Sequence, residues 1–413
     1  MAKRHDRTNT ESPTAGSSGR AMSPLARQHE TVIIGGGIAG LACARQLHDN
    51  GRPFLLITED VGGRIHTSAD GTVNLGAYYV TSDYHHVNRF VDRGRRIRWR
   101  RVLRGDQDGS FTRGNMPLLL HPLQAIRFLR LMREFRHHHE TFKQDCLLIS
   151  QDQAIRADPL LWGLYEEEAP EFIHRHRIED IARSYLAPGA QGTAFTSVDR
   201  LTAFTLLVGV LPTITPAFEY TFRFDLLMSG FEEAVVLDSV TDITPNADRY
   251  SIRTRNQGSF SATNVVVATP IDVSARLLDL GLLKGPNYAH TFLIRGNLRR
   301  PWAQATYSLF PEGDPTLGIA RQNGGSILFC SVSEDPDFGH YFSTWEVVEH
   351  QHWNPAFHLE GDILLECEQG PGLYLVGDHN VCNLEDSYVT GVYAANHILG
   401  DSGAAKRGTR HDA

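Results

Sequence analysis

Between residues 31 and 57, apolar and polar positions alternate in blocks that predict a strand, a helix and a second strand. Thr31-Val32-Ile33-Ile34 is short, apolar and β-branched, as a parallel strand covered on both faces requires. Leu41 to Asn50 reads as a helix whose small Ala42, Cys43 and Ala44 suit close packing on a sheet, and Gly51 is placed to end it in a left-handed conformation. Phe54-Leu55-Leu56-Ile57 makes the second strand. Thr241 to Ile243 and Tyr250 to Thr254 also predict strands, and Ser261 to Asn264 leads into Val265-Val266-Val267-Ala268-Thr269-Pro270. From about Asp83 to Phe224 the βαβ pattern is lost. His121 to Lys143 predicts a long helix with Leu123, Ile126, Leu129, Leu131, Met132 and Phe135 on a broad apolar face. Shorter helices are expected around 158–173, 178–186 and 199–207.

The first strand and helix are joined by Gly35-Gly36-Gly37-Ile38-Ala39-Gly40, a G-x-G-x-x-G pattern at Gly35, Gly37 and Gly40. Gly35 permits the tight turn, Gly37 lets the backbone approach a pyrophosphate, and Gly40 lets helix and strand pack closely. The amides that open the helix, at Ile38 and Ala39, then face phosphate with a favourable dipole. Where such folds carry a ribose-binding carboxylate, this chain has Thr58, followed by Glu59 and Asp60. Glu59 is the candidate for the ribose hydroxyls; the alternative is that both acids solvate a loop. Next comes Val61-Gly62-Gly63-Arg64, in which two glycines let the loop pass close to a pyrophosphate and Arg64 offers a planar cationic fork.

A length of 413 residues predicts two joined domains. The net charge of −8 argues against nucleic acid as a partner. No apolar run is long enough for a transmembrane segment. The five cysteines (Cys43, Cys146, Cys330, Cys367, Cys382) lack CxxC spacing, so neither a metal site nor a disulfide framework is expected, and a cytoplasmic location is. His137-His138-His139 points in different directions around a helix and receives no metal role. Arg89, Arg93, Arg95, Arg96, Arg98, Arg100, Arg101 and Arg104 form a basic stretch, read as a solvated face or a surface for an acidic partner.

With Val73-Asn74-Leu75-Gly76-Ala77-Tyr78-Tyr79-Val80 downstream, the G-G-R loop resembles that of the flavin-containing amine oxidase superfamily, which includes phytoene desaturase-like and protoporphyrinogen oxidase-like enzymes. The resemblance implies noncovalent FAD, with Gly62, Gly63 and Arg64 along it and Gly76, Ala77 and Tyr78 near the flavin ring. It implies a backbone amide near Val240 at the adenine. It makes Gly372 to Val376 the last strand, with Asp378 after Gly377 hydrogen-bonding the ribityl or pyrophosphate region. Thr390 to Ala395 resembles the small-residue pattern of the final FAD-facing helix.

This chain also departs from the family. At the start of the final helix, where the family has Gly-Ala, stand Asp386-Ser387 after Glu385, placed either at the flavin or as helix caps. The strand that carries a lysine near flavin N5 in many amine oxidases reads Tyr288 to Ile294 here and has none. Aligning on Trp302 puts Phe292 at that position, with His290 on the same strand face. Trp353 is a candidate flavin-side aromatic or a core residue. His290, Phe292 and Trp353 are therefore the catalytic candidates, with no acid or base fixed by spacing. Leu206 to Pro212 could line an apolar pocket or fill the core.

The expected fold is α/β. A Rossmann-like FAD-binding domain with a parallel sheet would be discontinuous over 30–82, 225–286 and 361–400. It would carry an inserted α+β substrate domain at 83–224 and 287–360, between disordered tails at 1–29 and 401–413. The expected function is FAD-dependent oxidation of a small organic substrate at a C–N or C–C bond by hydride transfer to flavin N5, with oxygen or another electron acceptor closing the cycle. The alternatives are a desaturase or redox-neutral isomerase of an apolar substrate, and a catalytically silent FAD-binding partner protein.

Overall fold

Val32, Ile33 and Ile34 are buried, as an unbroken β-branched run demands. In the computed structural model, which describes residues 27–408, they form the middle of β1 (Arg27–Gly36). The chain turns at Gly37 into α1 (Ile38–Asp49) and returns as β2 (Leu55–Val61), parallel to β1 with Val32 beside Leu55 and Ile34 beside Ile57. A first excursion begins with β3 (Val80–Thr81), β4 (Val91–Arg96), β5 (Val102–Gly105) and β6 (Phe111–Arg113). It becomes helical through α2 (Met116–Leu120), α3 (Pro122–Asp145), α4 (Gln151–Ala157), α5 (Pro159–Glu166), α6 (Ala169–His176) and α7 (Glu179–Ile181). A π-helical turn at Ala182–Leu186 joins α7 to α8 (Ala187–Ala194), followed by α9 (Ala203–Val210) and β7 (Ala217–Phe222).

The chain then rejoins the first sheet with α10 (Phe224–Met228), β8 (Val235–Leu237), β9 (Val240–Asn246), β10 (Arg249–Thr254), β11 (Ser259–Val267) and α11 (Ile271–Leu278). A second excursion comprises β12 (Gly285–Leu298), β13 (Tyr307–Leu309), β14 (Thr316–Arg321), β15 (Ile327–Ser331), α12 (Phe338–Tyr341) and β16 (Phe342–Glu360). The chain closes with β17 (Glu368–Gly370), β18 (Leu373–Leu375) and α13 (Leu384–Gly408).

Three sheets result. The first runs β17-β18-β11-β1-β2-β8, with the β9–β10 hairpin paired to β11; β18, β11, β1, β2 and β8 are parallel. The second runs β16-β12-β15-β14-β13-β5-β6, and the third joins β3, β7 and β4. Strand β2 leaves β1 on one side and β11 adds on the other. The end of β1 is thus the switch point at which open α/β sheets bind ligands.

Helices α1 and α13 cross at Gly391, where a Cβ would collide with the Ala39 carbonyl. This explains the small-residue pattern of Thr390 to Ala395. The helical region has its own core, built on Phe128, Phe135, Tyr165, Phe172 and Phe204. The broad apolar face expected of α3 is instead divided. Ala125, Phe128, Met132, Phe135 and Phe142 pack inward, while Leu123, Ile126 and Leu129 stand exposed.

Of the predicted tails, 1–26 and 409–413 lie outside the described residues. Arg27 to His29 already belong to β1, and α13 passes position 400 to end at Gly408. Among the described residues no helix is long and apolar enough to cross a membrane.

Candidate active site

The glycines at the end of β1 each answer a different geometric demand. Gly35 has φ +108°, and a Cβ there would lie 2.6 Å from the Ala268 carbonyl oxygen, at the end of β11. A Cβ on Gly40 would collide with the carbonyl of Gly35, so this residue sets how closely α1 packs on β1. Gly37 differs from both, because a Cβ there would meet nothing and would project into an open cavity. The G-G-R loop lies directly opposite. Gly63 has φ +57°, and its Cβ would stand 3.2 Å from the Gly37 Cα. Two loops thus bring bare backbone together at the start of α1, where amides of the first turn point outward.

This cradle opens into a cavity of about 860 Å³. At one end it is lined by Glu59, Asp60, Asp238, Val240 and Arg255. Thr58, at the usual carboxylate position, is buried; its hydroxyl accepts the Gly36 amide at 2.9 Å and so fastens β2 to the glycine turn. Glu59 is exposed and sits 3.9 Å from Arg255 at the rim. The Asp238 carboxylate accepts the backbone amides of Ser239, Asn256 and Gln257, fixing the loop that carries Val240 along the cavity.

In the middle, Arg64 and Asp378 form a two-pronged ion pair that includes a 3.0 Å bond from Arg64 Nη2 to Asp378 Oδ1. Burial works to raise the Asp378 pKa, but the charge and hydrogen bonds of Arg64 hold it below the usual carboxylate range. Sequence had assigned both residues directly to the cofactor. In the structure part of the Arg64 fork is engaged by Asp378, and both residues line the cavity. Beside it, burial pushes the His379 pKa down to about 4 and that of Lys284 down to about 8.

At the other end side chains replace backbone. Tyr78, Phe195, Phe204, Val208, Leu211, Pro212, Trp353 and Phe357 line the cavity, so the apolar 206–212 segment serves pocket and core together. Gly76 and Ala77 lie here too, and a Cβ on Gly76 would strike the Arg64 carbonyl. Tyr78 donates to the Gly192 carbonyl at 3.1 Å.

Most of the sequence candidates meet in this cavity: Gly35, Gly37, Ile38, Ala39, Glu59, Gly62, Gly63, Arg64, Gly76, Ala77, Tyr78, Val240, Trp353, Gly377, Asp378 and Ser387 all line it. Four do not. Gly40 lies behind the turn as a packing residue. Asp386 is fully buried and faces His139 Nε2 at 3.3 Å. Of the two alternatives, capping is not what the structure shows, for neither carboxylate caps α13: Asn383 Oδ1 accepts the Asp386 amide at 2.8 Å, and Glu385 accepts the amides of His86 and Val87. Both acids are buried and find donors on neighbouring segments, leaving Asn383, Leu384 and Ser387 at the cavity.

His290 and Phe292 point to the opposite face of β12, where Phe292 stacks on His350 at 4.3 Å and His290 on His352 at 4.2 Å. The alternation of the strand instead turns Thr291 to the cavity beside Cys330, and Thr291 Oγ1 accepts Trp353 Nε1 at 3.1 Å. Ala289 to Ile294 are buried on both faces, so no period-two pattern marked the cavity side. His139 and Lys143 of α3 also reach the cavity, and the sequence carried no signal for either.

A model of the NAD(P)-binding Rossmann-like domain matches residues 33–93. No curated protein matches the chain in sequence. Among solved structures, putrescine oxidase bound to putrescine is similar over 91% of this chain and 100% of its own, with TM-score 0.62 and 12% identity. A double mutant of putrescine oxidase with redesigned cofactor binding gives TM-score 0.63 at 12% identity, with the same coverage. An oxidoreductase from Methanosarcina mazei gives TM-score 0.59 at 14% identity, covering 89% of this chain and 100% of its own. Likenesses at this identity concern the fold alone: a Rossmann-like domain with a parallel sheet, joined to a second region of helices and mainly antiparallel strands.

Proposed function

Taking the fold of the amine oxidase-like flavoproteins as premise, we propose that the chain is an FAD-dependent oxidoreductase acting on a small organic substrate at a C–N or C–C bond. One observation carries this reading: the bare-backbone cradle at Gly35, Gly37 and Gly63 and the aromatic, apolar chamber around Tyr78, Thr291 and Trp353 are two ends of one cavity. The cradle fits a dinucleotide because it offers unobstructed amides and a helix start, and any side chain at Gly37 would fill it.

When bound, FAD would supply the redox chemistry, as a hydride acceptor. The residues of the chain do the rest. Glu59 and the Val240 backbone would hold the nucleotide end, and the paired Arg64 and Asp378 keep the middle of the site in a fixed shape. Tyr78, Trp353 and Phe357 exclude water and orient the substrate, while Thr291 fixes the plane of Trp353 through its hydrogen bond.

The test is anaerobic addition of primary amines to FAD-loaded protein. Loss of the oxidised flavin spectrum, with formation of the corresponding aldehyde and recovery of the spectrum on admitting oxygen or another acceptor, is the expected result. Absence of bleaching with every amine would contradict oxidation at C–N. One feature favours a second reading, a desaturase or redox-neutral isomerase of an apolar substrate: β12, the strand on which many amine oxidases carry a lysine, has none here and turns Thr291 to the cavity. Conversion of an apolar alkene without net bleaching would select the isomerase, and bleaching by it the desaturase.

A further inference from the structure

The apolar residues that α3 failed to bury lie together. Met116, Leu119 and Leu120 of α2 and Leu123, Ile126 and Leu129 of α3 are exposed, Leu119 and Leu123 by 72% and 71%. They occupy one helical hairpin, whereas isolated surface leucines are ordinary. Leu123, Ile126, Arg127, Arg130 and Arg133 recur at helical spacing, so leucine, isoleucine and arginine share one outward stripe. Arg113 immediately precedes this hairpin, and Arg100 packs beside Gly114, bringing the end of the basic 89–104 stretch to its edge. Arg104 of that stretch is itself buried on Tyr185, and it donates to the Gly114 carbonyl at the base of the hairpin.

The acids nearby are Glu134, next to Arg133 on α3, and Glu179 and Asp180 of α7; Glu179 is engaged by His174, and Asp180 by Arg183 and Gln124. Among the described residues neither Arg130 nor Arg133 enters an ion pair, and Arg127 donates only to the Arg177 carbonyl. On a chain of net charge −8 this is a local excess of positive charge around exposed apolar side chains.

We propose that the α2–α3 hairpin docks the protein onto an anionic lipid surface. The leucines, Met116 and Ile126 enter the headgroup–acyl boundary, and the arginines lie at the phosphate level with their stems against the apolar layer. Charge complementarity selects this occupant. An acidic protein is repelled from an anionic surface everywhere except on a basic face, so the hairpin also sets the orientation. None of these residues lines the cavity, and the inference stands apart from the reaction proposed above.

The test is flotation of the full chain with phosphatidylcholine vesicles made with and without phosphatidylglycerol. Binding is expected with the anionic vesicles and should weaken as salt rises. The double variant Leu119→Ser, Leu123→Ser should bind at least about tenfold more weakly. The triple variant Arg127→Gln, Arg130→Gln, Arg133→Gln should lose the preference for phosphatidylglycerol. All these positions are exposed, and circular dichroism should find both variants as folded as the parent. Absence of flotation with either vesicle, or flotation unchanged in the leucine variant, would overturn the proposal. A dimer in light scattering that dissociates in the leucine variant would give the face to a second copy of the chain instead.

Discussion

The two ends of the cavity are built by opposite means. At the glycine cradle of the nucleotide end the surface is backbone, supplied by Gly35, Gly37, Gly62 and Gly63 on two loops that follow β1 and β2. At the apolar end it is mostly side chain, gathered from Tyr78, Phe204, Leu211, Thr291, Cys330, Trp353 and Phe357. A backbone site is written locally, because the demand for glycine at each position is a demand on sequence. A side-chain site depends on the face each strand or helix turns inward, which is settled by distant partners.

The largest expected effects separate roles within the glycine motif. Gly40→Ala places a Cβ against the Gly35 carbonyl and should cost about 3 kcal/mol or more, seen as a lower midpoint in urea unfolding of the cofactor-free chain. Gly37→Ala meets no protein atom, so that midpoint should stay unchanged while FAD affinity falls at least about tenfold, a loss of about 1.4 kcal/mol. If both substitutions merely unfold the chain, the cradle is a packing feature.

Next in size is an effect at the junction of the two ends. His379 titrates at about 4 in the folded chain against 6.5 ordinarily, because burial disfavours its charge and Lys284 adds to this, while Asp378 opposes. Between those values the unfolded chain binds more protons, so stability should rise from pH 4 to pH 6.5 and level off above, by about 3 kcal/mol at most. Asp378, held below its ordinary 3.8, adds its own loss only at still lower pH. Chemical unfolding across this range should show the slope in the parent and a flatter one in His379→Gln.

The smallest effect tests the two faces of β12. Thr291→Val removes the hydrogen bond to Trp353 and should lower turnover several-fold, the kinetic equivalent of about 1 kcal/mol. Phe292→Leu, on the far face, should cost about 1 kcal/mol of stability and leave turnover unchanged. The reverse pattern would return Phe292 to the site.

Legibility followed the same divide. The β1–α1–β2 unit and the glycine turns could be read from residues alone, since each carries its own geometric reason, whereas the return of Gly377 and Asp378 came only through the family resemblance. Thr58 was legible only as a missing acid, and its hydrogen bond to Gly36 needed the fold. Thr291 was hidden because its neighbours on β12 are buried on both faces. Asp386 was misplaced because position near a helix start does not reveal that His139, from α3, lies within reach. The partition of α3 failed for a related reason: periodicity marks an apolar face, but only the fold shows that Leu123, Ile126 and Leu129 have nothing to cover them.

The central claim is that this cavity takes FAD, and titration of the cofactor-free chain tests it most directly. FAD and NADP should be added in parallel, with binding followed by flavin fluorescence and calorimetry. The account predicts saturable uptake of one FAD per chain, with NADP unable to compete. Failure to take up FAD, or its displacement by NADP, would contradict it.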